Sequence, residues 1–284
     1  MTQLFRSLIF VPGNNPRFLE KAKKLQADIV CFDLEDSVPD DEKITARKLI
    51  KAVLKSRKLY ESSIFVRTNS PMSGKIPSDL KAVIQKGIDG IVIPKVNNVN
   101  DMRKIEKIIS QLEKTRKLKP IQIIPSIESA EGVVNTYHIT SFGKRVSAVV
   151  FGVFDLLNDM KVEYSKESEG AKYSRAKIPV DAQAAGVAAI DAIWQDLKDS
   201  KGLEKDCKIG KSLGYSGKSI IHPDQISIVH KLFYPNKSEI LWAKKVCKVY
   251  LKSTKKGTGA TTVDGKMIDE VHYKQAKALL ELVK

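Results

Sequence analysis

The chain reads as an α/β protein whose strands close into a (β/α)8 barrel, followed by a C-terminal extension of helices and loop. Three observations predict this. Short apolar, β-branched runs alternate with segments of helical period nearly throughout. There are eight such runs, and they recur roughly every 30 residues, the length of one βα unit. Near-continuous apolar strands are buried on both faces, so the sheet is expected to be parallel with its helices outside. Eight units favour closure over an open, doubly wound sheet. A chain of 284 residues, 42% apolar and 29% charged, is not disordered and is long enough for one large core.

The first run, SLIFVPG from Ser7, leads into the helical pattern PRFLEKAKKLQ. DIVCFDLED from Asp28 precedes ITARKLIKAVLKS, SIFVRTN from Ser63 precedes PSDLKAVIQKG, and GIVIPKV from Gly90 precedes DMRKIEKIISQLEKTRK. IQIIPSIE from Ile121 is followed by SAEGVVNTYHI, and VSAVVFGVFD from Val146 by a longer insertion ending in PVDAQAAG. VAAIDAIWQ from Val187 leads to GLEKDCKIGKSLGYS, and KSIIHP from Lys218 is the last run. Each intervening segment carries apolar residues at helical spacing. After Ile228 the pattern reads as a last barrel helix, a Pro-Asn turn and a second helix. KKGTGATTVDGKM, rich in Gly and Thr, reads as a mobile or clamping loop before a short terminal helix from Asp269 to Lys284. The expected division is a barrel over 1–235 and an extension over 236–284, the latter an appendage without its own core that contacts a neighbouring subunit.

Composition narrows the function. No apolar run approaches the roughly 20 residues that span a bilayer, and the N-terminus turns to Gly-Asn-Asn before a secretory leader is complete, so a cytoplasmic location without membrane contact is expected. Cys31, Cys207 and Cys247 have neither zinc-site spacing nor an even count. The net charge of +16 lies largely on lysine-rich amphipathic faces with few interleaved aromatics, so nucleic acid is not the expected partner.

In a parallel barrel, reactive groups sit at the carboxyl ends of strands, where the loops converge on a rigid scaffold. Here the runs end in Pro12-Gly13, Asp33 with Glu35 and Asp36, Arg67, Lys95, Glu128, Asp155, Asp191 and His222. Singly, each could be a helix cap or a surface charge. Together, Glu128 and Asp155 on neighbouring strands would face one another across the barrel mouth, and two like charges there require a cation. Oxygen ligands without His or Cys suit a hard ion such as Mg2+, or Mn2+ in its place. Arg67 ends a buried strand and needs an anion; that anion is either a substrate oxygen or, structurally, Asp33, Glu35 or Asp36. Lys95 could form a Schiff base as in class I aldolases, but the carboxylate pair makes it an electrostatic partner first. Gly210-Lys-Ser-Leu-Gly214 fits a nucleophile-elbow pattern but follows helical rather than strand residues, and both Gly-Lys-Ser sites lack the first glycine of a phosphate loop.

RSLIFVPGNNPRFLEKA, DIVCFDLEDSV, FVRTN, GIVIPKV, IIPSIESAEGVVN, VFGVFDL, AAID, GKSIIHPDQI and DGKMID resemble, in order and spacing, the HpcH/HpaI aldolase and citrate lyase superfamily, nearest the citrate lyase β-subunit-like acyl-CoA lyases. The resemblance implies a TIM barrel, a divalent ion and reversible carbon–carbon cleavage of a malyl-, citramalyl- or citryl-type thioester to acetyl-CoA and a 2-oxo acid. It also implies a homo-oligomer, a trimer or hexamer. By motif, Glu128 and Asp155 match the metal ligands, Arg67 the arginine on the reacting oxygens, and Asp36 and Lys95 further pocket residues. Pro12, Gly13 and Arg17 fall where coenzyme A would approach. Asp269 resembles an acid that crosses into a neighbouring subunit's site, where it would exchange the proton of the enolate with its pKa raised. A β-subunit acting on citryl-acyl carrier protein in a larger complex is the alternative within the resemblance. One departure is plain: many relatives read G-A-E-D-L where this chain has Gly152-Val-Phe-Asp-Leu156, which puts Phe154 where they carry an acid.

Overall fold

Eight parallel strands, each hydrogen-bonded to the next and the last to the first, close a barrel in the computed structural model of the chain. The structure describes residues 4–166 and 169–283. The strands are β1 (Ser7–Pro12), β2 (Ile29–Asp33), β3 (Ser63–Arg67), β4 (Gly90–Ile93), β5 (Gln122–Ile127), β6 (Ala148–Phe151), β7 (Ala188–Asp191) and β8 (Gly217–Ile220). Helices α1 (Pro16–Ala22), α2 (Lys43–Lys55), α3 (Ile76–Val83) and α4 (Val99–Arg116) connect the first five strands. Then come α5 (Ala130–Val134), α6 (Thr136–Thr140), α7 (Val153–Asp159), α8 (Lys172–Ala185), α9 (Ser200–Leu213) and α10 (Gln225–Phe233). This is the (β/α)8 barrel that the alternating pattern predicts.

Strand alternation decides what the barrel holds. Leu8, Ile29, Cys31, Phe65, Val92, Ile124, Val150 and Ile190 form one buried interior cluster. Residues two positions further along each strand point the same way. That rule carries Asp33 (after Ile29 and Cys31), Arg67 (after Phe65), Ser126 and Glu128 (after Ile124) and Gly152 (after Val150) to the top of the interior. Asp33 and Arg67 are register partners across β2 and β3. The interior is therefore apolar below and charged at its carboxyl end.

The opposite parity puts charge outside the strands as well. Asp191 and Lys218, register partners on β7 and β8, are fully buried. Lys218 Nζ lies 2.9 Å from Asp191 and 2.5 Å from Asp206 of α9. Arg175 of α8 reaches the same two carboxylates at 2.5 and 2.8 Å. Burial would lower the Lys218 pKa, but the two carboxylates outweigh it and the ammonium is held charged. Two cations thus balance two anions in a largely buried site, an arrangement costly to break from one side.

The chain divides into two compact units, Leu4–Val229 and the residues from His230 onward. The second contains α11 (Lys237–Thr254), the strands β9 (Thr261–Val263) and β10 (Lys266–Ile268), and α12 (Glu270–Glu281). The sequence reading expects an appendage with a loop; the structure differs on both points. Ala243, Val246, Tyr250, Val263, Ile268 and Ala276 form an apolar cluster of the unit's own, with Tyr250 stacked on Tyr273 at 5.0 Å. The Gly/Thr-rich segment pairs as an antiparallel hairpin whose turn residues Asp264 and Gly265 both have positive φ, +48° and +75°. That is the backbone an Asp-Gly hairpin turn adopts.

A second difference concerns VSAVVFGVFD. Its strand ends at Phe151, and Gly152 caps α7. Asp155 is therefore in the first turn of a helix rather than at a strand end. No described helix is long and apolar enough to cross a membrane.

Lys218→Ala should cost about 3–5 kcal/mol of unfolding free energy, because it leaves Asp191 and Asp206 buried with one cation fewer. Urea unfolding measures this, and Lys218→Met combined with Asp191→Leu should recover part of the loss.

Candidate active site

Asp33 organises the carboxyl end of the barrel. Its two oxygens accept from Arg67 Nε at 2.6 Å and Nη2 at 2.7 Å. They also accept from the amide of Glu35 at 2.9 Å and the hydroxyl of Ser37 at 2.5 Å. Burial pushes its carboxyl up, but Arg67, Ser37 and the Glu35 amide together hold it below the usual carboxylate range. The Arg67 guanidinium also lies over the Phe10 ring, 4.6 Å from its centroid. The structural partner considered for Arg67 is thus present, and it fixes the guanidinium plane while Nη1 faces Glu35 at 3.2 Å and Asp36 at 3.8 Å.

The turn after β2 presents those two acids. Lys43 at the start of α2 donates to the carbonyls of Leu34 and Glu35, both at 2.7 Å, and so ties the turn down. Lys95 Nζ lies 3.0 Å from Glu35 Oε1 and 3.4 Å from each of Asp36 and Asp155. Its backbone is left-handed, with φ +53°, a strained conformation for a lysine. Burial would lower the Lys95 pKa; Glu35, Asp155 and Asp36 raise it instead.

Glu128 is buried, 5% exposed. Its Oε1 accepts from Ser126 at 2.5 Å, whereas Oε2 is buried without a hydrogen-bond partner. Burial is the largest cause of its raised pKa, and the Asp155 charge adds to it. Gly152 makes room for it: a Cβ there would stand 2.4 Å from Glu128 Cγ. A buried carboxylate with an idle oxygen, beside a second acid and in a slot only glycine leaves open, fits a hard cation. Among the described residues no three His, Cys, Asp or Glu side chains cluster as a metal cage. The fit is therefore to an ion held by two carboxylates, with water or substrate oxygens completing its shell.

Glu35 is the functional candidate that the sequence reading did not single out. Burial pushes its carboxyl up to about 8 against the pull of Arg67, with Glu128 and Asp36 adding to the rise. Both cations beside it are shared with other acids, which explains why burial prevails.

These groups surround a cavity of about 500 Å3 lined by Pro12, Asp33, Asp36, Arg67, Glu128 and Asp155, among others. Of the remaining candidates, Gly13 acts through the backbone: its amide donates to Asp33 O at 2.9 Å, and a Cβ would stand 2.5 Å from that oxygen. Arg17 is exposed on α1. Asp269 belongs to the C-terminal unit and caps α12, accepting from the amides of Val271 and His272 at 3.0 and 3.3 Å. Its Oδ1 lies 2.7 Å from His272 Nδ1. The His272 side chain, then its amide, hold the carboxyl below its ordinary value, the reverse of the raised value expected for a proton donor.

Comparison with known proteins follows the same lines. The family model described as HpcH/HpaI aldolase/citrate lyase matches residues 6–223. The citrate lyase subunit beta of Leuconostoc mesenteroides subsp. cremoris is 34% identical, over 99% of this chain and 93% of its own. A (3S)-malyl-CoA thioesterase of Cereibacter sphaeroides is 32% identical, over 97% and 93%. The crystal structure of the protein CitE from Mycobacterium tuberculosis in complex with magnesium, acetoacetate and coenzyme A superposes with a TM-score of 0.81 at 23% identity, covering 99% of this chain and 98% of that one. At that identity the likeness speaks to the fold.

Glu35 carries a measurable consequence. Its folded pKa of about 8 lies above the ordinary value of 4.5, so between those pH values the folded chain binds more protons than the unfolded one. Stability contributed by the protonated form is complete below about 4.5 and lost as pH rises through about 8. Glu35→Gln should flatten that fall, read as urea midpoints from pH 4.5 to 8.5 in EDTA.

Proposed function

The chain belongs to the HpcH/HpaI aldolase/citrate lyase family, and from that premise we propose that its barrel cleaves a 3-hydroxyacyl-CoA reversibly, with magnesium, into acetyl-CoA and a 2-oxo acid. The observation that carries this reading is the idle oxygen of buried Glu128, in a cavity that Asp155 and the clamped Arg67 also line. Glu128 and Asp155 hold the ion, Mg2+ or Mn2+, which supplies Lewis-acid polarisation of the hydroxyl and carboxylate oxygens of the substrate.

This chain's own groups do the rest. Arg67, oriented by Asp33 and Phe10 before substrate arrives, meets the negative charge that develops on the thioester oxygen as the carbon–carbon bond breaks. Asp36, exposed at the cavity edge, takes the hydroxyl proton. Lys95 offsets the charge of Asp36 and Asp155 through the cycle. The electron pair of the broken bond becomes the acetyl-CoA enolate, whose carbon takes a proton from Asp269 of a neighbouring copy, its pKa raised from the lowered value of the free cap once it leaves His272 for the closed site. The homo-oligomer of three or six copies belongs to this reading, and sedimentation measures it. A Schiff base on Lys95 is disfavoured, since the carboxylates of Asp36 and Asp155, each 3.4 Å away, hold its amine protonated and a nucleophilic lysine must be neutral.

The thioester arm fits a second cavity of about 240 Å3 that shares Phe10, Pro12 and Ile221 with the first. It runs toward Phe18, Ala22 and Leu25, with Lys21 and His222 among its lining residues.

Malyl-, citramalyl- and citryl-CoA, assayed with and without EDTA, test the proposal. Acetyl-CoA and a 2-oxo acid should appear only with the metal, and Glu128→Gln or Asp155→Asn should lose at least about a hundredfold in turnover. Release of free CoA with the intact hydroxy acid would show thioester hydrolysis instead. Activity confined to a citryl-acyl carrier protein would place the chain in a multi-subunit citrate lyase.

A further inference from the structure

The lining of the main cavity divides into two unlike sides along the strand order. Asp33, Asp36, Arg67 and Glu128 end or follow β2, β3 and β5, whereas Val153, Phe154, Ile193 and Ile221 follow the adjacent strands β6, β7 and β8, with Asp155 where the two meet. Phe154 is half-buried in the first turn of α7, one residue before Asp155. Its ring packs on Tyr164 with centroids 4.7 Å apart and planes inclined by 35°. The carboxylate that anchors the reacting end and the ring that faces its substituent are thus set by the same helical turn. Among the described residues lining the cavity, the cation is Arg67, on the polar side and already bidentate to Asp33. A second substrate carboxylate turned toward the Phe154 side would lose its water without gaining a cation. An alkyl group there would lose nothing and shed its apolar surface from water.

We propose that the wall of Val153, Phe154, Ile193 and Ile221 selects a substrate whose 2-oxo acid portion carries an alkyl substituent and no second carboxylate, with Phe154 the specificity-determining residue. The assignment rests on the lyase reading above, with the thioester arm leaving through the cavity beside α1. An acid too small to touch this wall leaves a gap beside Phe154.

Condensation of acetyl-CoA with glyoxylate, pyruvate, 2-oxobutyrate and oxaloacetate tests the wall, and calorimetric titration of the same four acids in magnesium buffer gives a readout that needs no turnover. In the wild type, kcat/KM and affinity for pyruvate and 2-oxobutyrate should exceed those for glyoxylate and oxaloacetate by about tenfold or more, the scale of a well-filled methyl site. Phe154→Ala should erase most of that preference, and Phe154→Leu should keep most of it. Phe154→Lys should raise oxaloacetate relative to pyruvate by supplying the absent cation, and it carries the comparison if the alanine variant does not fold. A wild type that takes oxaloacetate or glyoxylate as readily as pyruvate overturns the proposal, as does a folded Phe154→Ala with an unchanged ranking. No condensation with any acid would sink the lyase reading alone, because the order of affinities still reports on the wall.

Discussion

The bidentate pair of Asp33 and Arg67 is the constraint on which the carboxyl end of the barrel is built. It is the top layer of an interior that is otherwise Leu, Ile, Phe, Val and Cys, formed where β2 and β3 are in register. Removing Asp33 would leave a guanidinium buried without its partner, and removing Arg67 would strand a carboxylate, each at a cost of about 3–5 kcal/mol. What that cost secures is orientation. The guanidinium is fixed by two hydrogen bonds and an aromatic face before any ligand arrives, which is the condition for stabilising charge without reorganisation.

Around this pair the charge does not balance. Asp33, Glu35, Asp36, Glu128 and Asp155 gather at the site, while Arg67 and Lys95 are the cations that touch them among the described residues. The surplus of acid appears as raised pKa values at Glu35 and Glu128 and as one oxygen on each without a hydrogen bond, that of Glu35 being left with the Arg67 ion pair at 3.2 Å. A protein interior resolves such a surplus with protons or with a cation. Glu35, held against Lys95, retains a proton well above the usual carboxylate range. Glu128, in the slot that Gly152 leaves open, is shaped for the cation. The largely buried quartet of Asp191, Lys218, Arg175 and Asp206 is the contrasting case, balanced in charge, and it ties β7 and β8 to α8 and α9.

Much of this was legible in the sequence, and the exceptions have physical causes. The apolar runs gave the closed barrel because strands buried on both faces leave that pattern and few others do. Arg67 and Glu128 are legible because charge at the end of a buried apolar run requires a partner or a ligand. Asp155 was found but misplaced: FGVFDLL is apolar enough to read as strand, and the break at Gly152 was the available sign of a new helix. Glu35 was not separated from its neighbours because three acids follow one strand in DLED, and nothing local says which of them faces inward. The Asp264-Gly265 hairpin is hard to read because the Gly and Thr around it resemble a loop more than the single turn dipeptide resembles a hairpin. The cap formed by Asp269 with His272 lay open in the spacing of Asp-Glu-Val-His. Lys218 carried no sign at all, because an outward lysine on a strand reads as solvated until the helices that cover it are known.

The central claim is that the acid surplus at the barrel mouth exists to hold one divalent ion between Glu128 and Asp155. Anomalous diffraction from crystals soaked in Mn2+ and pyruvate tests it most directly. A single strong peak within coordination distance of Glu128 Oε2 and an Asp155 oxygen, with Lys95 drawn off Asp155, is the result expected. A peak bound to neither carboxylate, or no peak while Lys95 stays on Asp155, would contradict it.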